Sequence, residues 1–168
     1  MYDYTLNLKL HPTYKILIYI IFSMFFFINF PVANEKHNNF EFQSLRFNKS
    51  FMRIGPAKKF PIKWVFIRKG LPVKILEKFE NWKKIEAPDG TIGWMRKDQL
   101  KNKKTVIFIS NGKIYSYPRL NSNILANVEI SSILKLENCK KIWCKVHSHK
   151  HNLTGYTLKE KIWGATIN

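Results

Sequence analysis

The fold is decided by one short stretch, WKKIEAPDGTIGWM at residues 82–95. Its first part, 82–87, has the length and the apolar content of a strand, and so has 91–95. The Pro-Asp-Gly turn between them contains an Asp-Gly pair that adopts the positive φ of a tight hairpin. A further strand-length run of β-branched and apolar residues lies at 73–79. No segment after residue 34 keeps a helical period, so the sequence predicts an all-β protein.

The second half of the chain repeats the first half at an offset of 61 to 62 residues. Four landmarks recur in one order: Met52 with Pro56 as Ile114 with Pro118, Trp82-Lys83-Lys84-Ile85 as Trp143-Cys144-Lys145-Val146, Gly93-Trp94-Met95 as Gly155-Tyr156-Thr157, and Leu100 as Ile162. We therefore predict two small domains, 48–102 and 103–165, after a flexible tether at 34–47. Domains of this size bury only about 60% of their unfolded surface, so we expect them to pack against each other.

The order of motifs in the first unit resembles that of bacterial SH3 domains. The unit opens with Met52-Arg53-Ile54-Gly55-Pro56 and closes with Asp89-Gly90-Thr91-Ile92-Gly93-Trp94, with Trp82 between them. The resemblance covers roughly residues 48–165 and extends to exported proteins that carry two SH3-like units after an export signal. It implies a small five-stranded barrel in each unit, with a 3₁₀ turn near Lys97-Asp98-Gln99. It implies a binding protein for peptides, cell-wall glycopeptide or other proteins, and it does not imply an enzyme; we predict no cofactor.

One departure from the SH3 pattern concerns the ligand. Arg96 stands where SH3 domains that bind Pro-rich helices have a proline, and Met52-Arg53-Ile54 replaces their Tyr-containing opening motif. These changes argue against ligands of the PxxP type.

The N-terminus has the features of an export signal. Two lysines precede an apolar run at 16–30, and Ala33 follows it. The run is shorter than the about 20 residues of a membrane-spanning helix, so we expect a signal peptide at 1–33 and a periplasmic or secreted protein. Pro31 lies where cleavage favours a small residue, which leaves open an uncleaved signal-anchor in the inner membrane as the chain's one membrane contact.

The chain is strongly basic, with a formal net charge of +18. Lys accounts for 24 of the 29 basic residues, a bias that A/T-rich codons produce as readily as selection for a polyanion does. The positive field attracts anionic surfaces without specificity in either case. A nucleic-acid-binding protein built of small basic barrels is the alternative function, and it requires the chain to stay in the cytoplasm.

A ligand groove is predicted around two tryptophans, Trp82 and Trp143. Each lies three residues before an aliphatic side chain expected in the core, and alternation along a strand then places each indole on the outer face. The open alternative is that loops or the other domain cover the two rings. The predicted groove takes its charge from five basic residues: Lys63, Arg68, Lys83, Arg96 and Lys145.

Cys139 and Cys144 are the only cysteines, and they flank the predicted hairpin turn of the second unit. In an oxidising compartment this spacing predicts a disulfide. The alternating histidines His147, His149 and His151 favour a solvated loop over a metal site, because no carboxylate lies near them in sequence. No phosphate-binding Gly-rich loop and no paired carboxylates occur, so we predict a non-catalytic binding protein of the cell envelope.

Overall fold

The structure, a computed structural model, describes residues 40–102 and 104–165. Within these residues, fourteen strands form two antiparallel seven-stranded sheets. The first sheet contains β1 (Glu41–Leu45), β2 (Ser50–Arg53), β3 (Ile62–Phe66), β4 (Pro72–Phe79), β5 (Trp82–Glu86), β6 (Ile92–Arg96) and β7 (Leu100–Lys101). The second contains β8 (Thr105–Phe108), β9 (Gly112–Tyr115), β10 (Ile124–Val128), β11 (Ile133–Lys140), β12 (Trp143–Ser148), β13 (Leu153–Leu158) and β14 (Ile162–Trp163).

The two sheets have the same topology. The strand order is β3-β2-β6-β5-β4-β1-β7 in the first sheet and β10-β9-β13-β12-β11-β8-β14 in the second. Each last strand follows a 3₁₀ turn, Lys97–Gln99 in the first unit and Lys159–Lys161 in the second. The all-β prediction with two barrel-like units is confirmed. Each sheet has seven strands rather than the implied five, because a strand before each barrel and a two-residue strand after it also pair.

The first of those extra strands corrects the predicted tether. Residues 34–47 were expected to be flexible, yet β1 lies within them and pairs with both β4 and β7. Leu45 at its end is fully buried in the first core. Phe42, in the same strand, packs edge-on against Trp163 at 5.0 Å, so β1 is held by apolar contacts as well as by its pairing with two strands.

The hairpin predicted at 82–95 is present. β5 and β6 are paired from Trp82 with Arg96 to Glu86 with Ile92. In the turn, the Gly90 N–H donates to the Ala87 carbonyl at 2.9 Å, and Gly90 has a φ of +81°. A glycine accepts this left-handed conformation without the steric cost that a Cβ adds.

The two barrels share apolar and polar contacts. Ile107 belongs to the core of the first barrel, and Ile133 and Trp163 pack against that core. The Thr105 hydroxyl donates to the Gly70 carbonyl at 2.7 Å and lies 2.9 Å from the Ser44 hydroxyl. Because the Thr105 proton is used on Gly70, Ser44 is the donor of this second bond. The barrels therefore support each other, as expected for units of this size.

The predicted signal peptide at 1–33 lies outside the described residues. Within 40–102 and 104–165, no helix has the length and apolar character needed to cross a membrane.

Candidate functional site

The two tryptophans of the predicted groove have different surroundings. Trp82 is only 8% exposed, although Ile85, three residues later, points into the core as expected. Trp143 is half-buried and packs edge-on against Tyr115, with 5.5 Å between ring centroids. The prediction of an open aromatic floor is therefore wrong for Trp82, whose ring is covered, and Trp143 presents only part of its indole to solvent.

Three of the predicted basic residues are divided between the two barrels. Lys63, on β3, donates from Nζ to the Ile92 carbonyl at 2.8 Å. Arg96 forms an ion pair with Asp98 at 2.6 Å. Lys145 lies on β12 in the second barrel and is half-buried. Arg96 is opposite Trp82 in the pairing of β5 with β6, whereas Lys145 lies two positions after Trp143 on β12, so these basic residues are divided between the two tryptophans.

Lys83 instead belongs to a small charged cluster that anchors β1. Its Nζ lies 3.6 Å from a Glu41 carboxylate oxygen and 3.0 Å from Gln43 Oε1. Lys78 approaches the other Glu41 oxygen to 2.5 Å. The hydrogen bond from Lys78, reinforced by the charge of Lys83, lowers the pKa of Glu41 below its ordinary value. These lysines hold the first strand in place, and the Lys83 ammonium is therefore already paired with groups of the protein itself.

Arg68 lies at the junction between the barrels. Its guanidinium donates to the Ser131 carbonyl, which joins the loop after β3 to the loop before β11. Ser131 has a φ of +69°, and its counterpart in the first barrel, Gly70, has a φ of +81°. Arg68 thus contributes an inter-barrel contact and lies at the edge of a groove formed there.

That groove has a volume of about 590 Å³ and is lined from both barrels. Five of its apolar side chains are exposed: Trp64, Val65, Ile67, Ile109 and Ile130. Trp64 is 52% exposed and Ile67 is 80% exposed. A contiguous exposed apolar surface of this kind marks an interaction site more often than isolated apolar residues do. We call this surface the junction groove.

The junction groove adjoins an open sheet edge. β3 is a terminal strand of the first sheet, and its residues from Ile62 to Val65 are all exposed. Sequence reasoning missed this site, because Trp64-Val65-Phe66-Ile67 has the apolar content of a buried strand. An uninterrupted apolar run indicates burial but does not reveal that a strand lies at an edge. The sequence feature that could have indicated this site is that the apolar run ends directly before the turn-forming Arg68-Lys69-Gly70.

The predicted disulfide is present. Cys139 and Cys144 are directly opposite each other on β11 and β12, with 4.0 Å between their Cα atoms. Cys144 is fully buried in the second core. Lys78 and Lys83 are the opposed pair at the same place in the first barrel, so the disulfide distinguishes the second hairpin from the first.

The three histidines lie where β12 ends. His147 Nδ1 is 2.8 Å from the Thr154 hydroxyl, and its ring packs edge-on against His149 at 4.6 Å. His151 is exposed in the following turn. No group of three or more metal-ligating side chains occurs in the described part of the chain.

Comparison with protein families identifies the first barrel. The bacterial SH3 domain family matches residues 48–102, about a third of the chain, and the resemblance is confirmed for these residues. No curated protein has a significantly similar sequence.

Among solved structures, the chain is similar to NlpC2 from Trichomonas vaginalis, with 14% identity, 74% of this chain and 48% of that chain covered, and a TM-score of 0.34. It is also similar to an NlpC/P60 family protein from Bacillus cereus, with 14% identity, 74% and 57% coverage, and a TM-score of 0.33. The chain thus spans about half the length of these structures. Similarity at this level carries no argument about function.

Proposed function

We propose that the protein is an exported, non-catalytic binding module of the cell envelope and that it binds an extended peptide in the junction groove. The observation that carries the proposal is the exposed apolar lining of this groove beside the open edge of β3. The bacterial SH3 match supports a binding role, and the apolar run at 16–30 supports export.

The groove's chemistry favours a peptide over a sugar chain or a nucleic acid. Its exposed lining is mostly aliphatic, with the Trp64 indole at one side, and such side chains recognise apolar residues. The edge of β3 offers backbone groups to which a peptide strand can be added. A nucleic-acid site would instead present several aromatic rings for base stacking among basic side chains.

Charge selects among peptides. Arg68 and Asp89 both line the groove, Lys69 follows Arg68, and the formal net charge of the protein is +18. This field attracts acidic partners and speeds their association. We therefore expect a ligand that combines apolar with acidic residues, presented by an envelope protein or by the peptide part of the cell wall.

The test replaces Ile67 with Glu. This side chain is 80% exposed, so the change leaves the core intact while placing a negative charge in the groove. Losing the burial of one Ile and adding charge repulsion should weaken peptide binding by about tenfold or more. Ile142→Glu is the matched control, since Ile142 is 64% exposed in a turn of the second barrel and does not line the groove.

Binding is measured on an array of short peptides of varied charge and on purified sacculi. We expect peptides with apolar and acidic residues to bind the unmodified protein and the control, and to bind Ile67→Glu weakly. Equal binding by Ile67→Glu and Ile142→Glu would exclude the junction groove as the site. Binding to sacculi that follows the same pattern would identify the cell wall as the source of the peptide.

A further inference from the structure

A second cavity, of about 480 Å³, is lined by residues of the second barrel and shares none of its lining residues with the junction groove. The residues that matter to its chemistry are Lys113, Tyr115, Glu129, Thr157 and Lys161. Two of the residues that line it differ in chemistry from their counterparts in the first barrel, and these differences indicate which ligand group the cavity can hold.

In the first barrel the corresponding place is closed by Gln99, the last residue of its 3₁₀ turn. The Gln99 side-chain oxygen accepts the Phe51 N–H at 2.7 Å, and its amide nitrogen donates to the Phe51 carbonyl at 3.1 Å. One carboxamide therefore satisfies both backbone groups of a β2 residue. Those two groups point away from β3 toward the turn.

In the second barrel Lys113 stands at the place of Phe51, and Lys161 at that of Gln99. The register is the same, because Phe51 is opposite Val65 and Lys113 is opposite Asn127. The 3₁₀ turn also lies against the strand, since a Cβ on Gly112 would be 3.6 Å from Lys161 Cβ. A lysine ammonium donates hydrogen bonds but accepts none, so Lys161 does not replace the carboxamide at the Lys113 N–H.

A second replacement lies next to the cavity. Thr157 stands where Met95 fills the first core, and both side chains are fully buried. Thr157 is among the residues that line the cavity, and its buried hydroxyl has no hydrogen-bond partner among the described residues. The inner wall of the cavity therefore carries a short side chain where the first barrel has a long one.

We propose that this cavity binds a carboxamide, such as the side chain of a peptide Gln or Asn, in the position that Gln99 occupies in the first barrel. The ligand oxygen accepts the Lys113 N–H, and its amide nitrogen donates to the Lys113 carbonyl. This proposal does not rest on peptide binding in the junction groove.

The experiment uses the peptide acetyl-Ala-Gln-Ala and the analogue acetyl-Ala-Met-Ala, whose side chain has a similar length but no carboxamide. Binding to the full protein is followed by NMR through the backbone amides of Lys113 and Thr157. We expect saturable shifts at both amides with the Gln peptide. We expect about tenfold weaker binding of the Met peptide, since it makes neither hydrogen bond.

The decisive variant is Lys161→Gln, which restores a carboxamide from within the chain. The new carboxamide should bond to the Lys113 N–H and carbonyl and weaken binding of the Gln peptide by about tenfold or more. Lys159→Gln is the matched control, because it removes the same charge from the same turn without lining the cavity. The NMR spectrum of each variant reports whether it remains folded, and Thr157→Met tests the filling of the cavity separately.

Equal affinity for the Gln and Met peptides, or equal binding by Lys161→Gln and Lys159→Gln, would overturn the proposal. So would the absence of saturable shifts at Lys113. Ile67→Glu should bind the Gln peptide as the unmodified protein does. That result separates a failure of this site from a failure of the junction groove.

Discussion

The replacement of Gly155 by Ala is the sharpest test of how each barrel is closed. Gly155 lies on β13 where this strand crosses β9, next to the pairing of Tyr156 with Tyr115. A Cβ added to Gly155 would lie 2.4 Å from Ile114 Cγ2 and 2.6 Å from the Tyr115 carbonyl oxygen. Neither atom can yield easily, because one belongs to a β-branched core side chain and the other to the backbone.

The equivalent position in the first barrel, Gly93, provides a comparison within the same protein. A Cβ on Gly93 would lie 2.5 Å from Met52 Cγ and 2.9 Å from the Arg53 carbonyl oxygen. The flexible Met52 side chain can move, and the backbone oxygen is farther away. Overpacking a core costs about 1–3 kcal/mol, partly offset by the about 0.4–1 kcal/mol that Gly→Ala gains from the unfolded chain. We expect Gly155→Ala to lower the free energy of unfolding by about 2 kcal/mol and Gly93→Ala by about 1 kcal/mol.

Urea unfolding followed by circular dichroism measures both losses. Ile142→Ala is the control, because it truncates an exposed turn residue and should change the free energy of unfolding by less than about 0.5 kcal/mol. A loss below about 0.5 kcal/mol for Gly155→Ala, or a larger loss for Gly93→Ala than for Gly155→Ala, would refute the reasoning. The first outcome would mean that β13 and β9 separate without cost.

Two further predictions concern covalent and ionic contacts. Reduction of the Cys139–Cys144 disulfide should lower the free energy of unfolding by about 2 kcal/mol, from the entropy of its short loop, as measured by urea unfolding with and without reductant. A reductant effect of equal size on a variant with both cysteines replaced by serine would contradict this. Glu41→Gln should destabilise the protein by less than about 1 kcal/mol near neutral pH, since the ion pair with Lys78 is largely exposed. The folded state lowers the Glu41 pKa, so this contribution to stability is complete above the ordinary glutamate pKa of about 4.3. It is lost as the pH falls through the lowered value. The unfolding free energies of the unmodified protein and Glu41→Gln should therefore converge in acid.

The local part of the fold was predictable from the sequence. The hairpin at 82–95 follows from a strand period of two and an Asp-Gly turn, both of which act between near neighbours. The disulfide follows for the same reason, because Cys139 and Cys144 are separated by only five positions. The repeat added long-range information, since two copies of one pattern indicate two copies of one topology.

The candidate site was not predictable, because it depends on what covers each side chain. Alternation correctly placed Trp82 on the face opposite Ile85, yet no pattern indicated that the ring would be 8% exposed. The run from Trp64 to Ile67 has a buried composition, and its position at a sheet edge comes from the strand order alone. Likewise, the sequence shows that Arg68 is basic, but its hydrogen bond to the Ser131 carbonyl forms only because the second barrel lies beside the first.

The sequence by itself therefore determined the all-β class, the repeated unit, the hairpins and the disulfide. Tertiary structure decided that β1 completes the first sheet, that the junction groove is open, and that a cavity lined by Thr157 and Lys161 lies in the second barrel. The physical reason is the range of the interactions. Backbone period and turn geometry act over a few residues, whereas burial is the sum of contacts from strands far apart in the chain.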